Sequence, residues 1–112
     1  MAEAEEQKIL ANYLDYCNLL WFHPANEAKR SVHLASMLKA QGLKAGVPDI
    51  CILEPAYGKH GLFIEMKYGN NKPTEEQKKW LSRLSARGYA TAVCYSANDA
   101  IEIIKEYLHG KY

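Results

Sequence analysis

Gly61-Leu62-Phe63-Ile64-Glu65-Met66-Lys67 is an apolar run that carries a carboxylate and an ammonium two residues apart. Aromatic and β-branched residues in succession favour a strand, and successive strand side chains point to opposite faces. Glu65 and Lys67 therefore emerge on one face with Phe63 behind them, while Ile64 and Met66 take the other. Upstream, Gly46-Val47-Pro48-Asp49 leads into a second apolar run, Ile50-Cys51-Ile52-Leu53. Proline is tolerated at the start of a strand, where no ladder hydrogen bond is lost. The loop from Glu54 to Gly61, with Pro55 and Gly58, is short enough for an antiparallel hairpin. Such a hairpin brings Asp49, Glu65 and Lys67 to one spot.

Working outward, residues 4–18 predict a helix whose apolar stripe is Ile9, Leu10, Tyr13, Leu14 and Cys17. Glu6 falls on its inward face and Glu3 one turn earlier on nearly the same face. Glutamates in a first turn also suit the helix dipole without any further role. Leu19 to Phe22 reads as an edge or second-layer strand ended by His23-Pro24. Asn26 starts a second helix, roughly 27–41, with Val32, Leu34, Ala35, Met37 and Leu38 as its apolar positions and Gly42 as C-cap. Lys29 and Arg30 in its first turn oppose the dipole, which points to a phosphate-binding role. His23 and His33 are candidate ligands, although a lone histidine near a strand end usually makes a structural hydrogen bond.

Beyond the central strand, Tyr68 to Pro73 is a polar turn rich in Gly and Asn that contains Lys72. Thr74 and Gln77 have the capping-box spacing and start a third helix that runs to about Arg87 and buries Trp80, Leu81 and Leu84. A β-rich run from Tyr89 to Tyr95 after that helix predicts a β-α-β crossover with parallel strands. Ser96, with Asp99 three residues on, caps a last helix whose stripe is Ile101, Ile104, Tyr107 and Leu108. The expected architecture is α/β, a single domain over 1–112 with a small mixed β-sheet flanked by helices.

A formal net charge of +1 excludes a general polycation, so any phosphate-binding surface must come from local clusters. Candidates are Lys29-Arg30, Lys67 to Lys72, Lys78-Lys79 and Arg83 to Arg87. The three cysteines form no C-x-x-C pair, which argues against a disulfide framework or a zinc site and for a reducing, cytoplasmic setting. No apolar run approaches transmembrane length, so no membrane partner is expected.

Two carboxylates at one site repel each other and call for a compensating cation. Oxygen ligands without cysteine or suitably spaced histidine suit a hard divalent ion, Mg²⁺ or Mn²⁺. Such a metal activates water and polarises a phosphoryl oxygen, and Lys67 can stabilise the charge that develops on phosphate. That combination predicts a metal-dependent nuclease. Spacing alone leaves open a plain solvent-facing Glu65–Lys67 pair with Asp49 capping a turn.

Gly46-Val47-Pro48-Asp49, Phe63-Ile64-Glu65-Met66-Lys67 and Pro73-Thr74-Glu75-Glu76-Gln77 resemble, in order and spacing, the VRR-NUC family of the PD-(D/E)XK nuclease superfamily. The similarity runs from Glu6-Gln7 to the last strand and is greatest to small stand-alone phage or prophage members. It implies a restriction-endonuclease-like core and a catalytic set of Glu6, Asp49, Glu65, Lys67 and Gln77. Asp49, Glu65 and the backbone carbonyl of Met66 would hold Mg²⁺ or Mn²⁺, and Lys29, Arg30 and Lys72 would contact DNA. Glu3 is the alternative to Glu6, and Gln77 has a structural role open to it as the capping partner of Thr74. The resemblance further implies structure-selective cleavage of branched or junction DNA, like a Holliday-junction resolvase, by a homodimer. A non-catalytic nucleic-acid-binding module of the same fold is the rival, and intact carboxylates that repel phosphate without a metal argue against it.

Overall fold

The structure, a computed structural model, describes residues 2–24 and 31–112. Its elements follow the order α1 (Ala2–Tyr16), β1 (Trp21–Phe22), α2 (Val32–Ala40), β2 (Ile50–Ile52), β3 (Leu62–Met66), α3 (Glu75–Ala86), β4 (Ala90–Cys94) and α4 (Ala97–Leu108). The four strands form one sheet in the order β1-β2-β3-β4. β1 and β3 each run antiparallel to β2, and β4 runs parallel to β3. The mixed α/β sheet therefore matches the sequence pattern, with β2-β3 as the hairpin and α3 as the crossover to the parallel strand.

Alternation along the strands decides which face holds the core. Leu62, Ile64 and Met66 of β3 lie with Ile50 and Ile52 of β2 and Ala90, Ala92 and Cys94 of β4. Leu10 and Leu14 of α1 and Ala100, Ile104 and Tyr107 of α4 close over them, and Leu10, Leu14 and Ile104 have no exposed surface. The small residues of β4 and α4 let this helix sit close to the sheet. The opposite parity, Phe63, Glu65 and Lys67, is left to the other face.

Three helix starts are fixed by side-chain caps. Thr74 and Gln77 form a reciprocal capping box, in which the Thr74 hydroxyl accepts from Gln77 N and Gln77 Oε1 accepts from Thr74 N at 2.8 Å. The Ser96 hydroxyl accepts from Asp99 N at 3.0 Å. The third cap departs from expectation. α2 begins at Val32, because Ser31 is extended (φ −64°, ψ 156°) and its hydroxyl accepts from Leu34 N; the expected helical residues 27–30 lie outside the described residues. None of the residues of α2 is buried, and Leu34 and Met37 are exposed. Its apolar positions thus cover no core in this chain. In α3, Leu84 is buried while Trp80 and Leu81 are only half-buried.

The sheet's outer edges differ. β1 offers two residues, and the Tyr112 hydroxyl donates to the Thr91 carbonyl of β4. The thiols of Cys51 and Cys94 are both pushed up to about 12, chiefly by burial, so neither is a reactive thiolate. No helix among the described residues is long and apolar enough to cross a membrane. Truncating the fully buried Ile104 to alanine leaves a cavity between α4 and the sheet. Ile104→Ala should lower unfolding free energy by about 2–5 kcal/mol, read as a lower urea midpoint at unchanged slope.

Candidate active site

The hairpin register sets the geometry. The last pair is Ile50 with Ile64; continued one and two residues further, that register would set Asp49 opposite Glu65 and Pro48 opposite Met66. Lys67 N donates to Cys94 O on the β4 side, so by alternation Met66 turns its N–H and C=O toward β2. In an uninterrupted ladder the residue opposite would both accept from Met66 N and donate to Met66 O. Proline has no N–H to give, so the Met66 carbonyl has no ladder donor at that position. Met66 N is taken by the Asp49 side chain instead, donating to Oδ2 at 2.8 Å. The Pro-Asp pair thus ends the ladder in a way that fixes one carboxylate oxygen and leaves a main-chain carbonyl beside it.

Glu65 is 1% exposed, and Lys67 Nζ lies 3.4 Å from its Oε2. A buried carboxylate is costly unless matched by a charge or a metal, and Lys67 supplies the first of these. The solvent-facing ion pair left open by spacing alone is therefore not what forms. Both groups sit at the end of the central strand, the carboxylate sealed inside and the ammonium half-buried at the rim.

A cleft of about 180 Å³ opens there, lined by Asp49, Met66, Lys67, Tyr68 and Asn71 together with Glu3 and Gln7 of α1. Glu3 is thus the helix-1 carboxylate that reaches the cleft wall. Glu6 Oε1 accepts from Ala97 N at 2.6 Å, which ties α1 to the N-terminus of α4. That bond satisfies one of the helix's otherwise unpaired N–H groups and puts negative charge at the positive end of its dipole. Gln77 is buried and spends its Oε1 on Thr74 N. Lys72 lines an adjoining hollow with Asn70, Asn71 and Tyr95. Lys29 and Arg30 lie outside the described residues.

Tyr68 escaped the sequence reading, whereas His23 takes the structural role weighed for it there. Burial, then the negative charges of Asp49, Glu3 and Glu6, push the Tyr68 phenol above its ordinary value, so at neutral pH it is a hydrogen-bond donor among acids. Adjacency to Lys67 was its only signal. His23 Nδ1 donates to the Asp49 carbonyl at 2.6 Å, a structural bond that steadies the turn from behind. Gly46 has φ +84°, and a Cβ there would come within 2.7 Å of the Glu76 backbone. Glycine lets the loop carrying Asp49 lie directly on the first turn of α3.

Asp49, Glu65 and the Met66 carbonyl are the oxygen donors that the sequence resemblance implies for a hard divalent cation; Asp49 and Met66 line the cleft, whereas Glu65 is buried behind it. Among the described residues there is no cluster of three or more His, Cys, Asp or Glu side chains suited to a metal. A cation here would complete its shell with water, as Mg²⁺ commonly does.

The fold and this cleft define an α/β domain of nuclease type. The VRR-NUC domain model matches residues 4–98, and the chain belongs to the VRR-NUC family. A solved structure of a VRR_NUC domain protein is similar over 97% of this chain and 89% of that one, with TM-score 0.81 and 28% sequence identity. No curated protein sequence matches.

The two α1 glutamates separate by measurement. Glu6→Ala removes the cap on α4 and should lower stability by about 1 kcal/mol, whereas Glu3→Ala should leave the urea midpoint unchanged. Equal midpoints for the two variants would contradict the placement of Glu6.

Proposed function

We propose that this chain is a metal-dependent endodeoxyribonuclease that hydrolyses phosphodiester bonds in branched DNA, in the manner of a Holliday-junction resolvase. The observation that carries the proposal is Asp49, bonded by Met66 N–H, at the end of the strand where Lys67 pairs with the buried Glu65. Mg²⁺ or Mn²⁺ held by Asp49, Glu65 and the Met66 carbonyl would polarise a phosphoryl oxygen and lower the pKa of a bound water. Lys67, held in direction by Glu65, is placed to donate to the charge developing on the phosphate. The Tyr68 phenol offers a further neutral donor at the same rim. Glu3, on the cleft wall, can accept a hydrogen bond from a water there, and Gln77 fixes the helix start against which the Asp49 loop rests. Lys72 would meet the backbone on the way out of the cleft.

One site cuts one strand, so symmetrical nicking of a junction calls for two copies related by a two-fold axis. α2 favours that arrangement, because Val32, Leu34 and Met37 are exposed and none of its residues joins the core among the described residues. Leu34 and Met37 are the side chains a second copy would bury.

Labelled duplex, flap, splayed and four-way DNAs incubated with Mg²⁺ or Mn²⁺ test the chemistry. The branched substrates should be cut, EDTA should stop cleavage, and Asp49→Ala or Lys67→Ala should each slow it at least about 10²–10³-fold. Cleavage that persists in both variants removes these residues from the site. Light scattering should give about twice the 12.7 kDa chain mass, and Met37→Asp should return the monomer with its fold retained. A monomeric parent chain would rule out the dimer.

A further inference from the structure

Between the C-terminal end of α2 and the face of α3 runs a groove of about 480 Å³, with Lys39, Lys44, Arg83 and Arg87 on its walls and Trp80 among its lining residues. A smaller hollow of about 120 Å³ continues it past Lys79. Among the described residues, Glu76 is the one carboxylate on either lining. The two linings therefore carry five cations against one anion, net +4, in a chain of net +1 that is thereby left at −3 elsewhere. Neither hollow shares a lining residue with the catalytic cleft. Of the three motifs that carry the sequence resemblance, only Glu76 contributes a residue here.

The arrangement follows from α3. Glu76, Trp80, Arg83 and Arg87 recur at i, i+4, i+7 and i+11, which stacks them along one side of the helix. Arg87 ends the helix and spends one donor on the Arg83 carbonyl, at 3.1 Å from Nη1, which leaves most of its planar fork for another acceptor. The Trp80 indole N–H is committed to the Ala45 carbonyl at 2.9 Å, so the ring is held in place against the loop that carries the groove's other wall. Cations strung along a groove beside a fixed aromatic ring suit a polyanion read by charge and shape. The loop from Ala45 to Asp49 then leads from the groove into the cleft, four residues away.

We infer that this groove is a second nucleic-acid contact, which grips the phosphate backbone of a duplex arm while another part of the substrate occupies the catalytic cleft. The inference rests on the nuclease reading for the identity of the polyanion, and on the groove alone for the residues that hold it. It explains how a chain with so small a net charge holds DNA despite the carboxylates of its own active site. Contacts of this kind carry no base specificity.

The test is run on the full chain carrying Lys67→Ala with Mg²⁺ present, so that binding is read apart from cleavage. Anisotropy of a fluorescein-labelled duplex gives the dissociation constant across a salt series. Adding Arg83→Ala and Arg87→Ala should weaken binding about tenfold or more at 0.1 M salt and lower the slope of log K against log salt by about 1.8. Lys105→Ala, a cation of α4 outside the groove, measures what the loss of one charge does anywhere on the surface. Thermal melting checks that exposed substitutions leave the fold intact. An unchanged constant and slope in the double arginine variant would overturn the inference. So would poly-glutamate binding as tightly as duplex with the same loss, which would assign the groove to an acidic polypeptide. Absence of cleavage by the parent chain would count against the nuclease reading and leave the binding result standing.

Discussion

One hydrogen bond organises the centre of this molecule, that from Met66 N to Asp49 Oδ2. It stands just past the last pair of the β2-β3 ladder, beside Pro48, which has no N–H to return to the Met66 carbonyl. A main-chain donor at the end of a buried strand must be satisfied. Here a side chain meets the requirement, so the geometry of a carboxylate becomes part of the sheet's own bonding. On the same side, the Met66 carbonyl lacks the ladder donor that a residue other than proline would supply at position 48. The candidate metal ligands are thus by-products of closing a β-hairpin.

The surroundings then work to keep that spot rigid. Gly46 allows the loop to touch α3 backbone to backbone, His23 holds the Asp49 carbonyl, and the Thr74–Gln77 capping box fixes the first turn of α3. Glu65 is sealed beneath, with its charge answered by Lys67. On the other face, α1 and α4 pack on small and branched residues, and Glu6 links them through the first N–H of α4. The sheet therefore separates two tasks, an apolar face that holds the fold and a polar end that holds charge. Membership of the VRR-NUC family accords with both.

Much of this was legible in the sequence because the signals were local. Period-two alternation placed Glu65 and Lys67, a Thr and a Gln three apart placed a helix start, and Ser96 with Asp99 placed another. Three features were not legible, each for a definite reason. Glu6 satisfies an N–H 91 residues away, and helical spacing says which face a residue takes but not what waits there. The apolar positions of α2 have helical spacing whether or not anything covers them, so a pattern that normally marks a core marks an exposed face here. The basic stripe of α3 could be read off as a face, but Lys39 and Lys44 across from it come from another element and meet it only in the fold.

The sheet's margins have a consequence for quaternary structure. β1 presents only two residues, and the outer side of β4 has its Thr91 carbonyl taken by the Tyr112 hydroxyl. Short or occupied edges give a neighbouring chain little backbone to pair with. Copies of this protein that associate will meet through side-chain surfaces and not by extending the sheet. Each copy then keeps its own strand geometry, and the spacing between two such clefts would be set by the side-chain surfaces that dock.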